Sequence, residues 1–155
     1  MDAFDIVIVG GGSAGISAAM RGADQGARVC LIEQERIGGA CFRKGLYPYK
    51  AAMTALNNNS SDVTVNGIID DKKLAQHVKR VVESVAINWE SRLSELGVDI
   101  RLGRGELLSP GVIRINANDA ISEVRGKKII IATGSEPASL PTLPFEDNVV
   151  ISADD

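Results

Sequence analysis

The chain has 155 residues, of which 45% are hydrophobic and 24% charged, with a formal net charge of −3. That length suits one domain with a real core and is too short for two full nucleotide-binding domains. The composition is that of an ordinary globular protein, and a mild acidic surplus argues against nucleic acid or an anionic membrane as partner.

An apolar run, Ile6-Val-Ile-Val9, follows Met1–Asp5 with no basic leader before it. No stretch reaches the length of a membrane-spanning helix, so a cytoplasmic chain without a membrane partner is expected. The run ends in Gly10-x-Gly12-x-x-Gly15, and a small-residue helix starts at once with Ile16, Ala18, Ala19 and Met20. A second strand, Ala27–Ile32, closes on Glu33 eighteen residues after Gly15. Residues 4–33 thus read as a β-α-β unit, with a right-handed crossover expected.

The glycines divide the work of a dinucleotide cradle. Gly10 turns the chain out of the strand, Gly12 leaves room for a pyrophosphate, and Gly15 lets the helix approach the sheet. Amides such as those of Ser13 and Ala14, at the positive end of the helix dipole, meet the diphosphate charge. Glu33 accepts hydrogen bonds from ribose hydroxyls and repels a 2′-phosphate. A glycine triplet in isolation is weak evidence in a chain with 16 glycines. Its setting gives it weight, because a strand precedes it, a helix follows, and an acid answers from the next strand.

Gly38-Gly39 breaks the pattern, and Pro48 is placed to open a helix through Met53. Asn57–Asp62 reads as a polar loop, and Val63–Asp71 as its irregular continuation. Leu74, Val78, Val81, Val82, Val85, Trp89, Leu93 and Leu96 recur at helical steps. They predict one amphipathic helix over 71–96, stopped at Gly97, with Trp89 in the core and His77 exposed.

Four strands are expected next, at Val98–Leu102, Val112–Ile115, Ile121–Val124 and Lys128–Ala132, with turns at Ser109–Gly111 and Asn116–Asp119. Pro137, Pro141 and Pro144 make an extended tail, and Val149–Ile151 a short apolar anchor. The fold class expected is α/β: a Rossmann-like parallel sheet, a long helical excursion and a small antiparallel meander. Cys30 reads as a small core hydrophobe. Two cysteines do not make a secreted disulfide framework, and the lone His77 rules out a multi-histidine metal site within one chain, so no metal is expected.

The segment Gly38-Gly39-Ala40-Cys41 to Lys50 resembles the redox segment of the FAD-dependent flavoprotein disulfide reductases, the family of dihydrolipoamide dehydrogenase, glutathione reductase and mercuric reductase. There the pattern is Gly-Gly-Thr-Cys, four residues, Cys, then x-Pro-Ser-Lys. Gly10–Gly15, Glu33, Gly103-Arg-Gly105 and Ile130-Ile-Ala-Thr-Gly-Ser135 match the family in the same order. The resemblance covers essentially the whole chain.

It implies an FAD site. The contacts implied are Gly10, Gly12, Ser13, Ala14 and Gly15 on the diphosphate, with Glu33 and Gln34 beside the adenosine ribose. Gly38, Gly39, Ala40 and Cys41 line the pyrophosphate and flavin, and Lys50 stands near the reactive flavin nitrogen. Gly105 touches adenine, and Ala132, Thr133, Gly134 and Ser135 form a cofactor-contacting turn.

The chain departs from the family at Leu46, where the second redox cysteine belongs. Cys41 keeps the position of the interchange thiol, but a leucine cannot complete a disulfide with it. Ala40 and Tyr49 replace the usual threonine and serine. Full family members add an NAD(P)H-binding domain and a dimerisation domain, and are homodimers. Residues 1–155 are therefore expected to be a single, incomplete FAD-binding domain that does not turn over NAD(P)H unaided. In a complete enzyme, electrons would pass to an acceptor other than a disulfide. The alternatives are a non-catalytic FAD or ADP module and a structural remnant that binds nothing.

Overall fold

Strand β1 runs over Asp2–Val9 and helix α1 over Ser13–Asp24. In the computed structural model, which describes residues 1–58, 60–117, 120–146 and 149–152, strand β2 follows at Val29–Glu33, buried along its whole length. Every residue of β2 is hydrophobic except its last, as a strand covered on both faces requires. Two short helices come next, α2 at Gly39–Arg43 and α3 at Leu46–Asn57. They lead to a two-stranded hairpin, β3 at Thr64–Val65 and β4 at Ile68–Ile69, and then to the long helix α4 at Asp71–Glu95. Strands β5 (Asp99–Leu102), β6 (Arg104–Ser109), β7 (Val112–Ala117) and β8 (Ala120–Ile131) complete the chain's regular structure.

The chain divides into two compact units, Met1–Gly39 with Ala86–Gly134 and Ala40–Val85 with Ser135–Asp155. The first holds a six-stranded sheet in the order β5-β2-β1-β8-β7-β6. The pairs β5·β2, β2·β1 and β1·β8 are parallel, and β8·β7 and β7·β6 antiparallel. Alternate residues of β1 and β2 divide the core. Val7, Val9, Cys30 and Ile32 join Phe4, Ile113, Ile115 and Val124 in one apolar cluster. Each such side chain, fully buried, contributes about 1.5–3 kcal/mol. Helix α1 comes close to the sheet at Gly22, where an added Cβ would stand 3.0 Å from Val29 Cγ2 and 3.1 Å from Ile6 Cδ1.

The second unit holds α3, the first part of α4 and the hairpin. Asn66 and Gly67 both take positive φ, 52° and 77°, the conformation that a two-residue turn between twisted strands demands. The carboxylate of Asp70 caps α4, with Oδ1 accepting from the Lys72 and Lys73 amides at 3.0 and 3.1 Å.

Several elements differ from the sequence expectation. Helix α3 starts at Leu46, two residues before Pro48, because a proline in the first turn gives up an N–H that has no helical partner anyway. Residues 64–69 form a hairpin instead of an irregular stretch. Strand β6 was not foreseen, since its six residues are exposed or half-buried and show no apolar alternation. The two strands expected at 121–124 and 128–132 are one strand, β8, running through Gly126. Trp89 and His77 are both half-buried, and the deeply buried residues of α4 are Ala86 and Leu93. Val149 and Ile151 are 74% and 66% exposed, so the stretch expected to anchor the end of the chain is not buried. Of the polar loop, Asn59 lies outside the described residues, as do Asn118 and Asp119 of the expected turn and Ala153–Asp155.

Candidate functional site

In the first unit, the carboxyl ends of the parallel strands converge on the glycine loop. Chain order runs from β1 outward through β2 and β5, then returns to β8 on the other side of β1. The loop after β1 therefore lies at the topological switch point, where open α/β sheets bind ligands.

Gly10, at φ 108°, is wedged against the end of β8. A Cβ there would stand 2.2 Å from the Ala132 carbonyl oxygen and 3.0 Å from Thr133 Cα. Gly15 faces inward, where a Cβ would lie 1.8 Å from the Gly10 carbonyl oxygen. Its role is thus the approach of α1 to its own loop as much as to the sheet.

Gly12 is different. It has ordinary φ and ψ of −78° and −173°, and an added Cβ would meet only Gly39 Cα, at 3.8 Å. Neither backbone geometry nor protein neighbours require a glycine at this position. It is the N-cap of α1, with no side-chain cap and no acid in the first turn, so the leading amides of the helix face outward beside exposed Ser13 and Ala14.

Glu33 closes the other side of the cradle. It is 7% exposed, and Oε2 accepts from the Gly11 amide at 2.7 Å while Oε1 accepts from the Glu35 amide at 2.9 Å. Its carbonyl oxygen accepts from the Gly103 amide at 2.8 Å. Glu33 therefore ties the glycine loop to the turns after β2 and β5. Each carboxylate oxygen retains lone-pair capacity for a further donor such as a ribose hydroxyl. Gln34 beside it is exposed.

Gly38 donates to the Gly11 carbonyl at 2.8 Å and bridges Gly12, and a Cβ at Gly39 would stand 2.8 Å from Gly12 Cα. Gly105 lies over the strand ends, where a Cβ would meet Val9 Cγ1 at 2.8 Å and Ile32 Cγ2 at 3.5 Å. The expected residues Gly10, Gly12, Ser13, Ala14, Gly15, Glu33, Gly38, Gly39, Gly105, Ala132 and Thr133 thus gather around one loop, and Gly134 continues the β8 turn at φ 83°. Gly11 was missed as a participant. The signal was its place between two fingerprint glycines, where only backbone can approach Glu33.

In the second unit, Ala40 and Cys41 lie in α2 and Lys50 in α3, with Lys50 exposed and Cys41 half-buried. The Ala40 carbonyl accepts from the Lys44 and Gly45 amides, both at 2.9 Å. The Phe42 and Tyr47 rings meet at 4.6 Å, packing the segment between Cys41 and Leu46. Leu46 is 47% exposed. Ser135 is exposed. Among the described residues no helix is long and apolar enough to cross a membrane.

A Rossmann-like α/β fold with a glycine loop at its switch point defines the class: a domain of the dinucleotide-binding type. The sequence model described as pyridine nucleotide-disulphide oxidoreductase matches residues 4–154, and the chain belongs to that family. It is 31% identical over 170 residues to dihydrolipoyl dehydrogenase of Bacillus subtilis, covering 98% of this chain and 36% of that protein. The Trypanosoma brucei brucei dihydrolipoyl dehydrogenase is also 31% identical, with coverages of 97% and 34%.

Among solved structures, the Cu(II) complex of the HOCl-induced flavoprotein disulfide reductase RclA from Escherichia coli superposes with a TM-score of 0.76 at 27% identity, covering 91% of this chain and 31% of that one. LpdA from Mycobacterium tuberculosis shares the fold with a TM-score of 0.81 at 24% identity, over 99% and 36% of the two chains. The chain spans about a third of the length of the curated relatives it matches.

Proposed function

We propose that this chain is the FAD-binding portion of a flavin-dependent NAD(P)H oxidoreductase resembling dihydrolipoamide dehydrogenase, with Leu46 in place of the second redox cysteine. The observation that carries this reading is the contrast among the loop glycines. Gly10, Gly11 and Gly15 are each blocked by protein atoms within 3 Å, whereas a Cβ at Gly12, the N-cap of α1, would make only an ordinary 3.8 Å contact with Gly39 Cα. A ligand phosphate gives that position a reason to be glycine.

The amides of Ser13 and Ala14 bind the diphosphate, and Glu33 holds the ribose while keeping the Gly11 amide in place. FAD, when bound, supplies the two-electron chemistry. Lys50, exposed in α3, is the cation that by the family resemblance would offset negative charge on a reduced flavin. Cys41 has no sulfur partner at position 46, so a dithiol cycle through these two positions is closed, and the acceptor is a quinone, oxygen or another non-disulfide species.

A second reading, a non-catalytic FAD or ADP module, is favoured by the same leucine. Titration of FAD and of ADP into the chain, followed by fluorescence and calorimetry, separates the two. We expect FAD to bind more tightly than ADP, and Gly12→Ala to weaken both at least tenfold while stability stays within about 1 kcal/mol of wild type. Equal affinities for FAD and ADP favour the adenosine module. No saturable binding, or an unchanged Gly12→Ala, overturns the site.

A further inference from the structure

The first unit carries a second concavity at the opposite end of its sheet. It lies at the start of β1, about 16 Å from the glycine loop at 3.3 Å per strand residue. Its volume is about 730 Å³, within the range of small-molecule sites. The nucleotide reading makes no use of it.

Its wall holds three cations, Arg28, Arg125 and Lys127, and one carboxylate, Asp5. Both Asp5 oxygens are committed. Oδ1 accepts from Lys127 Nζ at 2.7 Å and Oδ2 from the Arg28 amide at 2.9 Å. The Arg28 guanidinium lies over the Phe4 ring, 4.7 Å from its centroid, and donates once to the Ala3 carbonyl at 2.9 Å. That contact fixes the plane of the guanidinium without neutralising its charge. Arg125 is exposed and has no ion-pair partner among the described residues. One carboxylate against three cations leaves two positive charges unbalanced.

The floor is rigid. Gly126 donates to the Gly111 carbonyl at 2.9 Å, and a Cβ on Gly126 would stand 2.8 Å from the Lys128 carbonyl oxygen and 2.9 Å from Val7 Cγ2. Gly111 turns at φ 84°. The backbone floor is thus in place before any ligand arrives, which lowers the ordering cost of binding.

We propose that this cavity binds a small organic phosphate, with the Arg28 and Arg125 guanidiniums on the phosphate and the organic body against Ala3 and Pro110. Two surplus charges match a phosphate monoester dianion, and guanidinium forks suit its oxygens.

The test is phenyl phosphate titrated into the full chain with FAD present and followed by 31P NMR, with phenol and succinate as comparison probes. Phenyl phosphate is expected to saturate in the millimolar range or tighter, with phenol not binding and succinate at least tenfold weaker. Arg125→Glu, a change at an exposed side chain, is expected to raise the Kd for phenyl phosphate at least tenfold and leave the FAD titration unaltered. Absence of saturation, displacement by added FAD, equal affinity for succinate, or an unchanged Kd in Arg125→Glu would each overturn the assignment.

Discussion

Cys30 has no exposed surface within β2, and burial pushes its thiol up to about 12, from an ordinary value near 9.0. In the unfolded chain the thiol ionises first as pH rises, so between these values the unfolded state binds fewer protons than the folded one. Stability is therefore at its full value below about pH 9 and falls as pH climbs toward 12. The loss from one thiol is at most about 1.4 kcal/mol per pH unit. Urea unfolding of wild type and Cys30→Ala across that window should show the extra alkaline slope in wild type only, since lysines and tyrosines contribute equally to both. Parallel curves would mean that the thiol ionises as readily folded as unfolded. The role of Cys30 was legible in the sequence, because a cysteine between Val29 and Leu31 in a strand has apolar neighbours on both faces. Glu33 was legible only in part. Its place at a strand end predicts a ribose acceptor, whereas its hold on the Gly11 amide depends on a loop geometry that no spacing reports.

The elements that read most clearly were those with a long period. Helix α4, at 25 residues, repeats its apolar positions through seven turns, and α1 begins within the fingerprint, at Ser13. Short elements gave no such signal. The hairpin β3–β4 has two residues per strand, too few for alternation, and only its Asn66-Gly67 turn marks it. Strand β8 was divided at Gly126 because a glycine between charged residues looks like a breaker. It is instead a position where β1 leaves no room for a side chain. Proline misled at α3 because it is tolerated anywhere in the first turn. At the start of α4, Asp70 satisfies two amides that would otherwise lack partners. Asp70→Ala is expected to cost about 1 kcal/mol, read as a lower urea midpoint with an unchanged slope. Asp70→Asn should recover most of it, because an amide oxygen accepts the same bonds. A variant as stable as wild type would show that this cap contributes nothing net.

At the scale of the whole chain, fold and site follow from one topological fact. Strands β2 and β5 lie to one side of β1 and β8 to the other, so the loop after β1 is left open at the place where the sheet changes direction. That switch point limits the dinucleotide chemistry these residues can carry. Transfer of hydride between two dinucleotides needs a cradle for each, and the sequence contains one G-x-G-x-x-G, at Gly10–Gly15. The cradle also has an acid at Glu33, which in the proposed reading would repel a 2′-phosphate and so favour an unphosphorylated ribose. The chain is accordingly expected to take up one FAD equivalent by calorimetry and, once loaded, to leave added NADH unoxidised, with the nicotinamide absorbance constant over time. Loss of that absorbance at a rate comparable to an intact reductase, or a stoichiometry of two, would mean that a second dinucleotide site exists without a glycine fingerprint. The argument from one switch point to one cofactor would then be wrong.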